Sequence, residues 1–343
     1  MTAAAAALPL AVVLLAMGLL RRSAAVAGAA GLVVAGLLAL TLFDLGGALP
    51  DGLAALGTGA EALHTTATIL WVILPALTLH EVQGRTGAVA RIRDALAGLT
   101  PDRRVQAILI AWFFGLFVEG AAGFGTPVAL GAPLLAGLGY PPVRAVALAL
   151  LGHAAGVSFG AVGTPTLAQA ALTGLDPAAI ALRVAAIHGV LAPALLLLTV
   201  RLAGDGPLTR ADLAWSALAA VCFLVPSVAL AGLTGPELAS LGGALVGGAV
   251  FVAILRRRSG GGPALSGLLP DLAPYLAILA LILVTRLIAP LATALQALSL
   301  DWTLADTFAG RFAPLYHPGT LLLLGLALGT AATGRLPALP GAL

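Results

Sequence analysis

The chain has 343 residues, of which 60% are hydrophobic and 9% charged. A soluble domain carries about 25% charged residues, so a soluble globular fold is excluded and a polytopic, all-α membrane protein is expected. The net charge of +3 comes entirely from arginines clustered between apolar runs, a pattern that reports orientation in a bilayer and not nucleic-acid binding. The single Cys222 excludes an intramolecular disulfide, and with no CxxC or Cys/His cluster no structural metal site or other cofactor is expected.

A spanning helix needs about 20 apolar residues. Such runs lie at 4–20, 23–43, 62–79, 145–172, 178–200, 211–231, 236–255, 272–290 and 319–335, about nine spans in a single domain over 1–343. Arg21 and Arg22 follow the first run and no basic residue precedes it. That order is the reverse of a secretory signal, so the run reads as a genuine first span. The connections are loops: 84–104 with a short amphipathic interfacial helix ending at Thr100-Pro101, the basic linker 256–270, and 291–318 with Asp301, Trp302 and Tyr316.

Charge placement tests this order. Arg21/Arg22, Arg85 to Arg104, Arg201/Arg210, Arg256 to Arg258 and Arg335 all fall on one side, provided that 105–138 enters and leaves from that side. Asp44, Asp51, Asp176, Glu237, Asp301 and Asp306 fall on the other. Positive loops are cytoplasmic, which predicts an outside N-terminus and a cytoplasmic C-terminus.

Residues 105–138 therefore form a re-entrant helical hairpin, with arms of about 16 and about 13 residues, too short to span comfortably at about 1.5 Å per residue. The tip reads EGAAGFGTP, Glu119 to Pro127. Broken backbone at membrane depth survives only inside protein or beside a polar cavity. Gly120, Gly123 and Gly125 allow the turn, and Pro127 suits the first turn of the return helix. That helix start favours an anion. A second Gly-Thr-Pro break follows in SFGAVGTPT, residues 158–166. Two such breaks in neighbouring elements suggest one site, as in secondary transporters. No βαβ unit is possible, so the glycines are no dinucleotide fingerprint.

EGAAGFGTPVALGAPLLAGLGY, VSFGAVGTP, TPDRRVQAILIAWFFGLFVEGAAGFG and LYHPGT near 315–320 together resemble the lactate permease family, most strongly over 100–175. The resemblance implies proton-coupled uptake of lactate, glycolate and related 2-hydroxy acids across the bacterial plasma membrane by an inverted-repeat carrier of the elevator type. It also implies that members continue beyond the point matching Leu343 into a second Gly/Ser/Thr/Asn-rich hairpin. This chain is then a truncated member, one part of a split carrier with a separately encoded partner, or an incomplete product. A homo-oligomer and a different small organic anion stay open.

Glu119 is an ionisable group at membrane depth, costly and usually functional, and is assigned to the coupling proton; its bland reading is a carboxyl that only holds the tip. Gly123, Phe124, Gly125, Thr126, Pro127, Gly163, Thr164 and Pro165 are assigned to the substrate carboxylate, held by backbone N–H groups and the two hydroxyls, although a threonine can equally satisfy its own backbone. Arg183 is a candidate bidentate clamp, against snorkelling to the headgroups. His153 is a candidate proton relay, where the family usually has an amide; its alternative is a histidine bonded to a helix carbonyl. His188 follows Arg183 by a spacing that separates faces. GALVG, residues 243–247, reads as close helix packing. An intramembrane enzyme using Glu119 and His153 is disfavoured, because no nucleophile or metal set accompanies them.

Overall fold

A computed structural model of the chain describes residues 2–43, 49–258 and 266–335. Asp44 and most of the glycine-rich part of the basic linker lie outside the described residues. The chain divides into two compact units, one of residues 1–64 with 301–310, the other of residues 65–300 with 311–343.

In the first unit, α1 (Thr2–Gly18) and α2 (Ala24–Thr41) pack as a hairpin. Ser23 starts α2 by accepting from Val26 N–H at 3.4 Å. Gly31 gives the close approach: a Cβ there would lie 2.6 Å from a Val13 methyl. The same unit holds the start of α3 (Asp51–Arg85), where the Trp302 indole donates to His64 Nδ1 at 3.1 Å and Glu61 accepts from Ala309 N–H at 3.1 Å.

The second unit contains the motifs. After α4 (Ala88–Ala97), which buries Ala88, Val89 and Ile92, Asp102 caps α5 (Arg103–Ala107) by accepting from the Arg104 and Val105 amides. A π-wound stretch, Ile108–Phe114, carries the rod on into α6 (Gly115–Ala121). The return arm is α7 (Thr126–Gly137). Arg103 donates to Gly139 O at 3.0 Å, its guanidinium lies over the Tyr140 ring at 4.3 Å, and the Tyr140 hydroxyl donates to Arg103 O. Both feet of this helical hairpin are thus fastened to each other. The chain continues through α8 (Pro142–His153), a 3-10 stretch, Ala154–Phe159, and α9 (Gly160–Thr173). Next come α10 (Pro177–Ala203), α11 (Arg210–Thr234), α12 (Ala239–Arg258) and α13 (Leu269–Leu287). The last elements are α14 (Ala289–Ala297), β1 (Leu300–Leu304), β2 (Phe308–Phe312) and α15 (Pro318–Ala332).

Among the described residues, 8 helices are long and apolar enough to cross a membrane. Seven correspond to runs expected from the sequence, and the rod 103–121 joins them. The expected spans at 4–20 and 319–335 are shorter helices. Three expectations are corrected. The run expected at 62–79 is a 35-residue helix, because nothing near Glu61 or His80 stops a helix. The first hairpin arm has 19 residues and not about 16, since Asp102 starts it early and Gly120 does not end it. The loop 291–318 contains α14 and a β-hairpin turned by Ala305 and Asp306, both at positive φ.

With lipid as solvent, helices associate through close packing of small residues and interhelical polar contacts. GALVG behaves so: a Cβ at Gly243 would lie 2.9 Å from Ser227 Cβ, and one at Gly247 would fall on the Cys222 carbonyl, both on α11. Several arginine groups that the charge pattern placed on one side also meet. Arg91 and Arg335 share the buried Asp271 at 2.6 and 2.8 Å, and Arg104 pairs with Asp212 at 2.5 Å.

Candidate functional site

The first break opens where α6 ends. Gly123, Phe124 and Gly125 have φ of 61°, 51° and 82°, three successive left-handed residues. The Thr126 hydroxyl then donates to Gly123 O at 2.7 Å, the Thr126 amide reaches the same carbonyl at 3.0 Å, and Pro127 sits in the first turn of α7. Phe124 and Gly125 are exposed at the tip, and Pro127 is buried.

The second break repeats this form. Ala161, Val162 and Gly163 have φ of 44°, 54° and 79°, the Thr164 hydroxyl donates to Ala161 O at 2.5 Å, and Pro165 follows. Left-handed geometry costs an L-residue about 1–2 kcal/mol, and most for a β-branched side chain such as Val162. Strain of this kind collects at functional sites. Each break ends in a glycine, a threonine that ties back to the carbonyl three residues earlier, and a proline in the first turn of the helix that follows.

The two breaks touch. A Cβ at Gly123 would lie 2.9 Å from Ala161 N and 3.1 Å from Ala161 Cβ. The carboxyl of Glu119 lies beside the same segment, where a Cβ at Gly160 would fall on its Oε1. Glu119 is 5% exposed, and among the described residues its Oε2 has no hydrogen-bond partner. On the other side, a Cβ at Gly163 would lie 2.7 Å from the Pro236 carbonyl, and one at Gly120 would lie 2.6 Å from Leu241 Cα. Ser240 adds a hydrogen bond to Leu116 O at 2.9 Å. Residues 236–241, entering α12, therefore pack against the second break and against the end of α6 that leads into the first.

The remaining candidates are placed apart. His153 is buried, and its Nδ1 is 2.6 Å from Ala149 O, one turn back on α8, the carbonyl-bonded alternative. Arg183 is exposed on the second turn of α10. His188 Nε2 lies 3.1 Å from Ser158 Oγ, close to the second break, while Thr166 donates to Ser158 O at 2.7 Å. Sequence reasoning missed Arg286. Its side chain, on α13, is buried and donates to Glu237 Oε1 at 2.8 Å through Nη2 and 3.2 Å through Nε. The signal was a lone arginine inside the apolar run ILVTRLIAP.

This arrangement suits an anion held by backbone. Two helix starts meet there, each leaving first-turn N–H groups without intrahelical partners and a partial positive charge. Both threonine hydroxyl protons are already committed to carbonyls, so the hydroxyls present only lone pairs to a guest. The buried Glu119 carboxyl lies directly beside the second break. Among the described residues, no group of three His, Cys, Asp or Glu side chains is arranged to hold a metal ion.

A family model described as L-lactate permease matches residues 2–260. The chain is 33% identical over 263 residues to the L-lactate permease of Bacillus subtilis (strain 168), covering 75% of this chain and 45% of that protein. It is 36% identical over 177 residues to the glycolate permease GlcA of Escherichia coli (strain K12), covering 52% of this chain and 31% of that one. With the L-lactate permease of Streptococcus iniae it shares 29% identity over 294 residues, 80% of this chain and 60% of the relative. The chain thus spans less than two thirds of the length of these curated relatives. No solved structure matches.

Proposed function

Because the chain belongs to the L-lactate permease family, we propose that it carries the substrate-binding breaks of a proton-coupled carrier for lactate, glycolate and related small 2-hydroxy monocarboxylates. The single observation that carries this reading is the contact between two Gly-Thr-Pro breaks of the same form beside the buried, incompletely paired Glu119. Substrate carboxylate binds at the two helix starts, through backbone N–H groups of the 123–127 and 163–166 segments. The threonines hold those segments in shape, and the Glu119 carboxyl cycles the coupling proton. His153 and Arg183 are second to these; a proton relay through His153 would have to release the Ala149 carbonyl first.

The chain is a multi-pass membrane protein. The convergence of Arg91, Arg335, Arg104 and Arg103 toward the hairpin feet and the Asp271 and Asp212 ends of their helices supports a cytoplasmic position for that end. The order of charges along the loops supports an outside N-terminus and a hairpin that re-enters from the cytoplasm. An inverted-repeat, elevator-type carrier of the bacterial plasma membrane, working with a further hairpin or a second copy, fits the length of the relatives.

The test is uptake of radiolabelled L-lactate and glycolate into a transport-deficient host expressing the chain, with and without a proton uncoupler and with membrane insertion checked in parallel. Uphill uptake that collapses with the uncoupler is expected. Uptake indifferent to the uncoupler would overturn the proton assignment. Inserted protein that neither binds nor takes up either acid would overturn the substrate assignment for this chain.

A further inference from the structure

The wall of the second break is anchored by residues that none of the transport motifs contains. Pro236 presses on Gly163, where any added Cβ would lie 2.7 Å from the proline carbonyl. The next residue, Glu237, is 5% exposed and paired with Arg286 of α13, whose side chain is 7% exposed. Arg286 also donates to Tyr316 O at 3.2 Å from both Nη1 and Nη2, and its guanidinium lies 3.7 Å from the centre of the Tyr316 ring. Tyr316 belongs to LYHPGT, the sequence segment without a role so far. Within it the backbone of Gly319 packs directly on Trp71 O, the Thr320 hydroxyl accepts from the Trp71 indole at 2.9 Å, and His317 Nδ1 accepts from Gly319 N–H at 3.3 Å. That segment is therefore fixed on α3 and α15.

We propose that Glu237 and Arg286 are positioning residues for the second break, holding Pro236 against Gly163 so that Ala161 to Gly163 keep their left-handed form. The geometry argues against a pair that merely joins two helices. Arg286 places Nε and Nη2 on one carboxylate oxygen, Oε1, while Oε2 is buried with no partner among the described residues. A carboxylate free to optimise the pair would offer both oxygens to the guanidinium fork. Glu237 extends from the residue next to Pro236, which is itself packed on Gly163. A buried pair left with one partner missing is strongly destabilising locally, and the nearest strained backbone is the break. Tyr316 and the LYHPGT segment hold the guanidinium in place, which extends the support of the site to α3, α13 and α15.

The inference rests on the substrate reading above, so its test has one arm that does not need it. Amide hydrogen exchange of the 158–166 segment is followed in the purified, inserted chain as wild type, Glu237→Gln and Arg286→Lys, together with the charge-exchanged double variant Glu237→Arg/Arg286→Glu. Faster exchange at 158–166 in both single variants, with partial recovery in the double variant, is expected. Unchanged exchange there in Arg286→Lys, the mildest variant, overturns the inference whatever the substrate. In the uptake arm, the single variants are expected to raise the apparent KM for lactate roughly tenfold to a hundredfold, the scale of misplacing a binding group by about 1 Å, with the maximal rate much less affected. A fall in the maximal rate alone, proportional to inserted protein, overturns it too. Absence of both binding and uptake of lactate in the wild type removes the substrate reading and leaves the exchange arm to decide.

Discussion

Gly123 and Ala161 meet backbone to backbone, with only 2.9 Å between a Cβ placed on the glycine and the amide nitrogen of the alanine. Gly123 also has φ of 61°. Gly123→Ala is therefore expected to suffer twice, from left-handed strain of about 1–2 kcal/mol and from separation of the two breaks. Lactate uptake should be lost while the protein still inserts, measured as uptake per inserted chain. Retained uptake would mean that the two breaks work without touching.

Glu119→Gln keeps the size of the side chain and removes the titration. Substrate binding and downhill exchange should persist, and accumulation against a gradient should disappear. Uptake compared with and without an imposed proton gradient separates these; preserved gradient-driven accumulation would remove Glu119 from coupling. Gly160→Ala, whose added Cβ would fall on Glu119 Oε1, should impair both processes.

Thr126→Val and Thr164→Val each remove a hydroxyl that braces its own break at 2.7 and 2.5 Å. Each is expected to cost about 0.5–1.5 kcal/mol of local order, with a rise in apparent KM measured by uptake. Serine at either position keeps the brace and should behave close to wild type. Equal defects in valine and serine variants would instead point to the threonine methyl.

Two glycines of the hairpin tip, Gly120 and Gly125, should behave differently on alanine substitution. Gly120→Ala drives a Cβ onto the Leu241 backbone, whereas Gly125→Ala, at φ of 82°, meets open space. The first should abolish folding or insertion. The second should cost only the left-handed strain of about 1–2 kcal/mol, read as thermal stability in detergent.

His317 lies outside the spanning helices, and burial, followed by the charge of Arg286, pushes its pKa from 6.5 down to about 4. The folded protein thus keeps His317 neutral while the unfolded chain binds a proton below about 6.5. Its contribution to stability is fully present above that pH and falls progressively as pH drops toward 4. Thermal melting between pH 7.5 and 4.5 should show this decline, and His317→Gln should flatten it.

The sequence carried the parts of the site that are local. Gly123 to Pro127 and Gly163 to Pro165 announce their breaks because glycine, threonine and proline follow one another directly there, a combination that ends one helix and starts the next. GALVG likewise announced close helix packing, although not that its partner would be α11. What the sequence did not carry are meetings across long separations. Glu237 reaches Arg286 from 49 residues away, and no local pattern marks Pro236 as the neighbour of Gly163. Arg183 showed the converse: an arginine near the end of an apolar run is equally consistent with an exposed surface, and exposed is where it lies. The β-hairpin at 300–312 was hidden because each strand has only five residues, LDWTL and FAGRF, between runs of apolar helix.

The π-wound stretch from Ile108 to Phe114 bears on how the hairpin is read from its sequence. Each residue added to an α-helix by such widening turns everything beyond it by roughly 100°, the angle of one residue at 3.6 per turn. A helical wheel drawn at uniform pitch from Arg103 therefore assigns Glu119 to the wrong azimuth. The face that carries the carboxyl to Gly160 is set by where the widening sits along the rod. Sliding or removing it, by deleting one residue within 108–114, would swing Glu119 away from the second break without altering any residue of either one.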